Sequence, residues 1–287
     1  MSRTTSRGQA SVELLCETFG VSRQAYYAAR KAPKPRRRAA PPGGYTPTSE
    51  AIEAIQAVCA ANLAWGVRKV WATLRRKKLV VSRRRVWVLM AQLGLLQHAR
   101  ELRDEERRGN VTVPTSNRRW ATDLTTIWTK QDGLVAVVPV IDCGDRVILA
   151  CDVSKSQAST AVLAPLERAL RGAFGSPAGV PDGFETRTDH GPQYTGGDAE
   201  QLAATWRFEH TFAPVGRPTG NAVAERVIQT LKIELIWTRD WESIAELRTA
   251  IQAWMQAYNS ERPHQALVWA TPLERRAQNL SGRNVAA

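Results

Sequence analysis

Cysteine and histidine are scarce in this sequence, four of each in 287 residues. Cys16, Cys59, Cys143 and Cys151 form no C-x-x-C pair, and no histidine precedes His98. An N-terminal zinc module of His and Cys ligands is thereby excluded, and the thiols read as the reduced, partly buried cysteines of a cytosolic protein. Long apolar runs are also missing. The longest, Leu134 to Ile141, falls far short of the ~20 residues that cross a bilayer, and no secretory signal opens the chain. A soluble, cytoplasmic protein without membrane contact is expected. Acidic residues are few in the first part. Residues 1–119 carry 24 Lys/Arg against 8 Asp/Glu, and residues 120–287 carry 16 against 19. The net charge of +13 thus resides wholly in the first part, the footprint of a DNA-binding arm joined to a near-neutral body.

What is present fills that outline. Residues 1–34 suggest a helix-turn-helix-like module: an apolar pattern at Val12, Leu14 and Leu15, a turn at Gly20, then a helix capped by Ser22 with Arg23 and Gln24 at its exposed start. Residues 35–48 are a basic, Pro-rich linker able to track phosphates. Residues 49–97 hold a second helix-turn-helix. One helix spans Glu50–Ala61, another runs from Gly66 through Val70, Trp71 and Leu74, and a third is capped by Ser82. Arg83, Arg84 and Arg85 crowd the first turn of that third helix, where the helix dipole favours acids. A phosphate or base partner accounts for them better than folding does. Residues 98–117 read as a linker.

Residues 118–238 alternate strands and helices. Trp120–Trp128, Leu134–Asp142, Val147–Val153, Phe184–Thr188 and Phe208–Ala213 read as five strands, with helices at Gln157–Phe174, at Asp198–Thr205 and after Asn221. A mixed five-stranded α/β sheet with flanking helices is expected. Asp142, Asp145 and Asp152 read as turn and strand-end residues. Residues 239–287 form a C-terminal helical extension, with an amphipathic helix at Ser243–Asn259 and a short one at Leu273–Ala277. Between them Arg262 and His264 either touch DNA or fix a turn, with structure the favoured reading.

Three carboxylates stand out. Asp123 closes the run RRWATDL, Asp189 enters a His-Gly-Pro turn at a strand end, and Glu225 lies on a helix for which Asn221 is the expected N-cap. A carboxylate in a turn is most often a turn former, so none of the three decides anything alone. Together they form a hard-oxygen set suited to Mg²⁺ or Mn²⁺, and a pair of such ions serves phosphodiester chemistry. Gln229 and Lys232 follow Glu225 at spacings that share its helix face. Gly191 and Gly220 are read as supplying backbone freedom.

The texts W-A-T-D (Trp120–Asp123), T-D-H-G-P-Q-Y (Thr188–Tyr194) and G-N-A-V-A-E (Gly220–Glu225) resemble the catalytic core of DDE transposases and retroviral-type integrases. The chain is most similar to the larger, orfB-type component of the IS-three family of insertion-sequence transposases. Asn259–His264 and Thr271–Pro272 extend the match over nearly the whole length. The resemblance implies an RNase H-like fold and a metal triad of Asp123, Asp189 and Glu225 holding two Mg²⁺, for which Mn²⁺ substitutes. It also implies cleavage and joining of double-stranded DNA at the element's terminal inverted repeats and at a target, in a bacterial, nucleoid-associated setting. Lys232, Gln229 and His190 become candidate DNA contacts beside the metals, with Gln193 near the scissile strand. Two ends must meet, so a homo-oligomer is expected, with an upstream orfA-type polypeptide as partner or fusion. The alternatives are a single-frame integrase of the same superfamily and a catalytically inactive DNA-binding regulator. The sequence departs from the commoner family pattern at Thr188 and Gly220, neither of them a metal ligand.

Overall fold

The computed structural model describes residues 12–22, 46–97, 113–214 and 221–282, the side chains of Leu14 and Leu15 excepted. The chain divides into two units, Met1–Tyr45 and Thr46–Ala287. In the first, helix α1 (Val12–Thr18) ends in the expected glycine turn. Gly20 has φ +63°, and the Gly20 and Val21 N–H groups donate to the Glu17 and Cys16 carbonyls at 3.4 and 3.0 Å. That closure requires left-handed backbone, which glycine adopts without strain. Arg23, Gln24 and the expected second helix lie outside the described residues.

The second unit begins with three helices, α2 (Thr48–Ala61), α3 (Val67–Arg76) and α4 (Arg83–Gln92). Apolar residues at helical spacing, among them Ile55 and Val58, Val70 and Leu74, and Val86 and Leu89, close one small core. Ser82 caps α4 as expected, its hydroxyl accepting from the Arg85 N–H at 3.2 Å. Helix α3 docks on the rest of the unit. Lys69 pairs with Glu234 at 2.7 Å, Arg76 donates twice to Glu274 at 2.7 Å, and Trp71 meets the Trp269 ring at 6.1 Å, the two planes almost perpendicular.

The sheet has six strands: β1 (Arg119–Thr122), β2 (Thr125–Thr129), β3 (Gly133–Asp142), β4 (Ile148–Ser154), β5 (Glu185–Thr188) and β6 (Glu209–Phe212). One more is present than the five expected, and the reason is specific. The predicted strand Trp120–Trp128 is interrupted at Asp123 and Leu124. Its halves β1 and β2 keep one register along β3, from Trp120↔Asp142 to Thr125↔Val137 and on to Thr129↔Gly133. β4 pairs with β3 on its other edge, and β5 and β6 extend the sheet beyond β1 in parallel. Four strands paired antiparallel (β1 and β2 being halves of one), a helical crossover and two parallel strands give the expected RNase H-like α/β order.

The crossover is α5 (Ser159–Phe174), which covers one face of the sheet. There Trp120 stacks on Phe174 at 5.2 Å and meets Phe184 edge-on at 4.8 Å. Such aromatic burial dominates core energetics, each ring pair adding about 0.5–1.5 kcal/mol beyond its area. The short helix α6 (Pro192–Thr195) and α7 (Gly197–Trp206) join β5 to β6. The other face is covered by α8 (Ala222–Glu234) and α9 (Ile244–Ser260), with Val227, Leu231, Leu247, Ile251 and Tyr258 buried there.

Helix α10 (Pro272–Leu280) is longer than the predicted Leu273–Ala277, and it opens with a reciprocal capping box of Thr271 and Glu274. Its Arg276 donates to Asp142 and Asp145 at 3.2 and 3.0 Å. Both acids are fully buried and hold the β3–β4 turn through backbone N–H donors, the structural part expected of them. Asp152 is paired with Arg168. No helix among the described residues is long and apolar enough to cross a membrane.

Candidate active site

The strand register assembles the site. β1 and β5 pair in parallel from Arg119↔Glu185 to Ala121↔Arg187. Two residues beyond that last pair, on both strands, stand Asp123 and Asp189. Alternation along a strand puts Arg119, Ala121 and Asp123 on one face. It is the face of α8, since Ala121 packs with Ala224 and Val227. The strand breaks after Thr122, and the Asp123 carboxylate accepts the N–H of Leu124 at 2.8 Å. Asp189 accepts the N–H of Gly191 at 3.0 Å.

Asn221 brings in the third carboxylate. It stands at the N-cap position of α8, but its side chain caps nothing, contrary to the expectation from sequence. Instead it is buried, and its Nδ2 donates to the Thr122 carbonyl at 3.0 Å, immediately before Asp123. One helical turn later comes Glu225. The tether therefore fixes the helix bearing Glu225 against the strand end bearing Asp123.

The electrostatics follow from this geometry. Burial pushes the Asp123 carboxyl up to about 6, and the charges of Asp189 and Glu225 push the same way, while the Leu124 N–H and Lys232 oppose them. Glu225 is also raised, by burial, with Arg226 opposing. Asp189, Glu225 and Lys232 thus all lie within electrostatic reach of Asp123. Among the described residues no three His, Cys, Asp or Glu side chains enclose a metal position, and Asp189 and Glu225 are exposed. An open oxygen set of this kind fits a hard divalent ion such as Mg²⁺, which keeps waters and takes substrate phosphates alongside one or two carboxylates. The residues present fit the group.

The other predicted residues fall as follows. His190 is exposed beside Asp189 and stacks on Phe212 at 4.9 Å. Gln229 accepts from Arg226 at 2.9 Å. Arg83 and Arg84 are exposed at the start of α4, and Arg85 is partly engaged by the Thr48 hydroxyl. Gly191 has φ −59°, so backbone freedom is not its purpose. A Cβ there would stand 3.0 Å from the Asp189 carboxylate and from Gln193 Oε1, and close approach is the reason. Gly220 lies outside the described residues. Arg262, half of the open question at the C-terminal turn, is buried and donates to Glu234 through Nε and Nη2. The departure at Thr188 is accommodated, its hydroxyl lying 2.9 Å from the Asp189 carbonyl and 3.0 Å from His210 Nε2.

Three contributors went unread in the sequence. They are the Asn221 tether, buried Tyr194, whose phenol is raised by burial and by the charges of Asp123 and Asp189 against the neighbouring Thr122, and exposed Trp87, which shares a face of α4 with Arg83 and Arg84. A polar residue opening an apolar helix was the only mark of the first.

Integrase core domain models match residues 114–218 and 197–272, and an HTH-like domain model matches residues 48–103. A Mycobacterium tuberculosis protein assigned as the transposase of insertion sequence element IS986/IS6110 is 31% identical over 245 residues, 78% of this chain and 86% of that protein. The chain belongs to the IS-three family of insertion-sequence transposases. The transposase for insertion sequence element IS629 of Shigella sonnei is likewise 31% identical, over 73% of each chain. Among solved structures, the BIV integrase catalytic core domain aligns with 58% of this chain and 98% of that one, at 18% identity and a TM-score of 0.44. The transposase is a DDE polynucleotidyl transferase of DNA transposition, and its HTH-like and integrase-core regions bind DNA. Use of a divalent metal goes with the integrase-core family.

Proposed function

We propose that the transposase cuts a strand at each end of its element and joins the resulting 3′-hydroxyl to DNA, with Asp123, Asp189 and Glu225 as ligands for two Mg²⁺ or Mn²⁺ ions. The observation that carries this reading is the β1–β5 register that sets Asp123 and Asp189 just past adjacent strand ends, with the Asn221–Thr122 bond tying the start of the Glu225 helix to the same place. When bound, such ions stabilise charge on the attacking and leaving oxygens of a phosphodiester. The chain's own residues do the remaining work. Lys232 holds a phosphate beside the carboxylates, His190 and Gln193 contact the scissile strand, and the Asn221 tether keeps Glu225 in register with Asp123. Arg83, Arg84 and Arg85, joined by Trp87, meet the terminal inverted repeat. No covalent protein–DNA link is required. Because two ends must be held together, the working form is a multimer, with an upstream orfA-type polypeptide as partner or fusion.

The test is joining of a labelled duplex carrying the element's end, in Mg²⁺ and in EDTA, by the wild type and by Asp189→Asn and Glu225→Gln. Metal-dependent joining that disappears in both folded variants while end binding persists supports the assignment. Joining that survives Glu225→Gln overturns it.

A further inference from the structure

A groove of the unit Thr46–Ala287 lies beside the carboxylates rather than over them. It measures about 1130 Å³ and runs between α3 and the face of the sheet that carries Asp123. Cations reach it from six places in the chain, among them Arg68 of α3, Arg119 of β1, Arg146 of the β3–β4 turn, Arg187 of β5, Arg226 of α8 and Arg262 beyond α9. Its acid, Glu234, is held by Arg262 and Lys69. Arg119 and Arg187 share Glu185. Arg68, Arg146 and Arg226 have no ion-pair partner among the described residues; Arg68 and Arg226 donate only to neutral side chains, Gln265 and Gln229. Cations gathered from so many elements repel one another, and folding alone gives no reason to bring them together. Burial first, then Arg262, Lys69 and Arg146, drive the imidazole of His264, at the same groove, down to about 2.

The direction of the groove identifies its ligand. Arg119 and Ala121 lie in line on β1 with Asp123 just past its end, and Arg187 lies on β5 with Asp189 just past its end, so the cationic floor leads toward the carboxylates. Arg187 and Asp189 are two residues apart, about 7 Å of extended chain. A backbone lying along this floor would meet guanidinium groups, suited to bidentate phosphate contacts, and then the site of phosphodiester chemistry. We infer that the groove between α3 and the sheet is a DNA-backbone channel, with Arg146 and Arg226 as phosphate contacts, leading duplex DNA to the active centre. The inference deepens the function proposed above and rests on it for the channel's direction, but its test is binding, which does not depend on the carboxylates.

The experiment uses the full chain and fluorescence anisotropy with two labelled duplexes, one carrying the element's end and one of random sequence, from 50 to 200 mM salt. The double variant Arg146→Ala/Arg226→Ala is compared with wild type and with Arg168→Ala/Arg171→Ala, a control that also removes two charges, on the exposed surface of α5. Removing two phosphate contacts should lower the slope of log K against log salt by about two and weaken binding about tenfold or more at low salt, with the control unchanged. A loss confined to the end duplex assigns the channel to the element; a loss on both duplexes assigns it to DNA of any sequence, target included. Unchanged affinity and slope on both duplexes overturn the inference. So does a variant that binds DNA normally but loses binding to polyglutamate, which would make the groove a site for an acidic peptide. Circular dichroism melting confirms that the variants fold. Joining by Asp189→Asn, read separately, bears on the carboxylates alone.

Discussion

The buried ion cluster at the end of α8 allows a quantitative test of how the HTH-like helices are held to the core. Glu234 and Arg262 have side chains only 9% and 10% exposed, and three hydrogen bonds of 3.0–3.1 Å join them. Lys69 of α3 adds a 2.7 Å contact from a side chain 26% exposed. Burial raises the Glu234 carboxyl, but Arg262 and Lys69 outweigh it and hold the group below its ordinary value of 4.5. In Glu234→Ala the buried Arg262 guanidinium loses its counter-charge, which costs about 3–5 kcal/mol. Lys69→Ala removes only the more solvated arm and should cost about 1 kcal/mol or less. Replacing both partners, Glu234→Leu with Arg262→Met, should recover most of the loss, because neither charge is then stranded. Urea midpoints at pH 7 measure all four proteins. The pH dependence has a fixed sign. A depressed carboxyl contributes its full stabilisation above the unfolded value of 4.5, and loses it as pH falls through the lower folded value. The gap between wild type and Glu234→Ala must therefore close in acid. A single-variant cost below about 1 kcal/mol at pH 7, or a double variant no better than the single one, would refute the reading of Glu234 and Arg262 as a buried pair whose charges depend on each other.

Three further outcomes are expected. In chelator, wild type should lose stability as pH rises from the ordinary Asp123 value of 3.8 through about 6, because the folded state holds the extra proton. Asp123→Asn should then be the more stable protein at pH 8 by about 1–2 kcal/mol in urea unfolding, with no difference near pH 4; a gap independent of pH would count against burial of the charge. Asn221→Ala strands the buried Thr122 carbonyl and should cost about 1–3 kcal/mol, with joining reduced more than end binding; equal loss of both would deny it a positioning part. Arg276→Met leaves Asp142 and Asp145 buried without their cation, and a loss of about 3 kcal/mol or more is expected in thermal or urea melts. Both acids are already raised by burial, Asp145 to about 6, so that loss should be largest above pH 6 and shrink on acidification.

Much of this was legible in local text because local physics decides it. Ser82 and Ser243 cap their helices through their hydroxyls, and Gly20 turns the chain where a left-handed residue is needed. The nearly unbroken apolar run of β3 is buried from Val135 onward, as a central strand must be. What escaped reading depends on partners far away in sequence. Asn221 looked like an N-cap because its type favours caps, but its Nδ2 donates to the Thr122 carbonyl, 99 residues earlier, and in that orientation its Oδ1 accepts no helix N–H. Arg276 lies in an unremarkable basic stretch, and only the return of α10 to the β3–β4 turn gives it two buried acids to satisfy.

The interruption at Asp123 shows why a candidate metal ligand can be flagged in sequence while its strand is misdrawn. A strand running unbroken from Trp120 to Trp128 satisfies every local preference, and the pairing with β3 keeps one register across the gap. The break therefore does not re-align the sheet. It releases Asp123 and Leu124 from the ladder, so the carboxylate can take the Leu124 N–H at 2.8 Å while β5 pairs with β1 only up to Ala121. Register does the rest. Trp120 and Thr122, on the opposite face, are buried at 0% and 1% exposure. A slip of one residue would exchange the two faces, burying the carboxylate beside Phe174 and turning Trp120 toward α8. The aromatic packing that makes that slip costly is also what holds Asp123 abreast of Asp189, so the core beneath the sheet fixes the spacing of the chemistry above it.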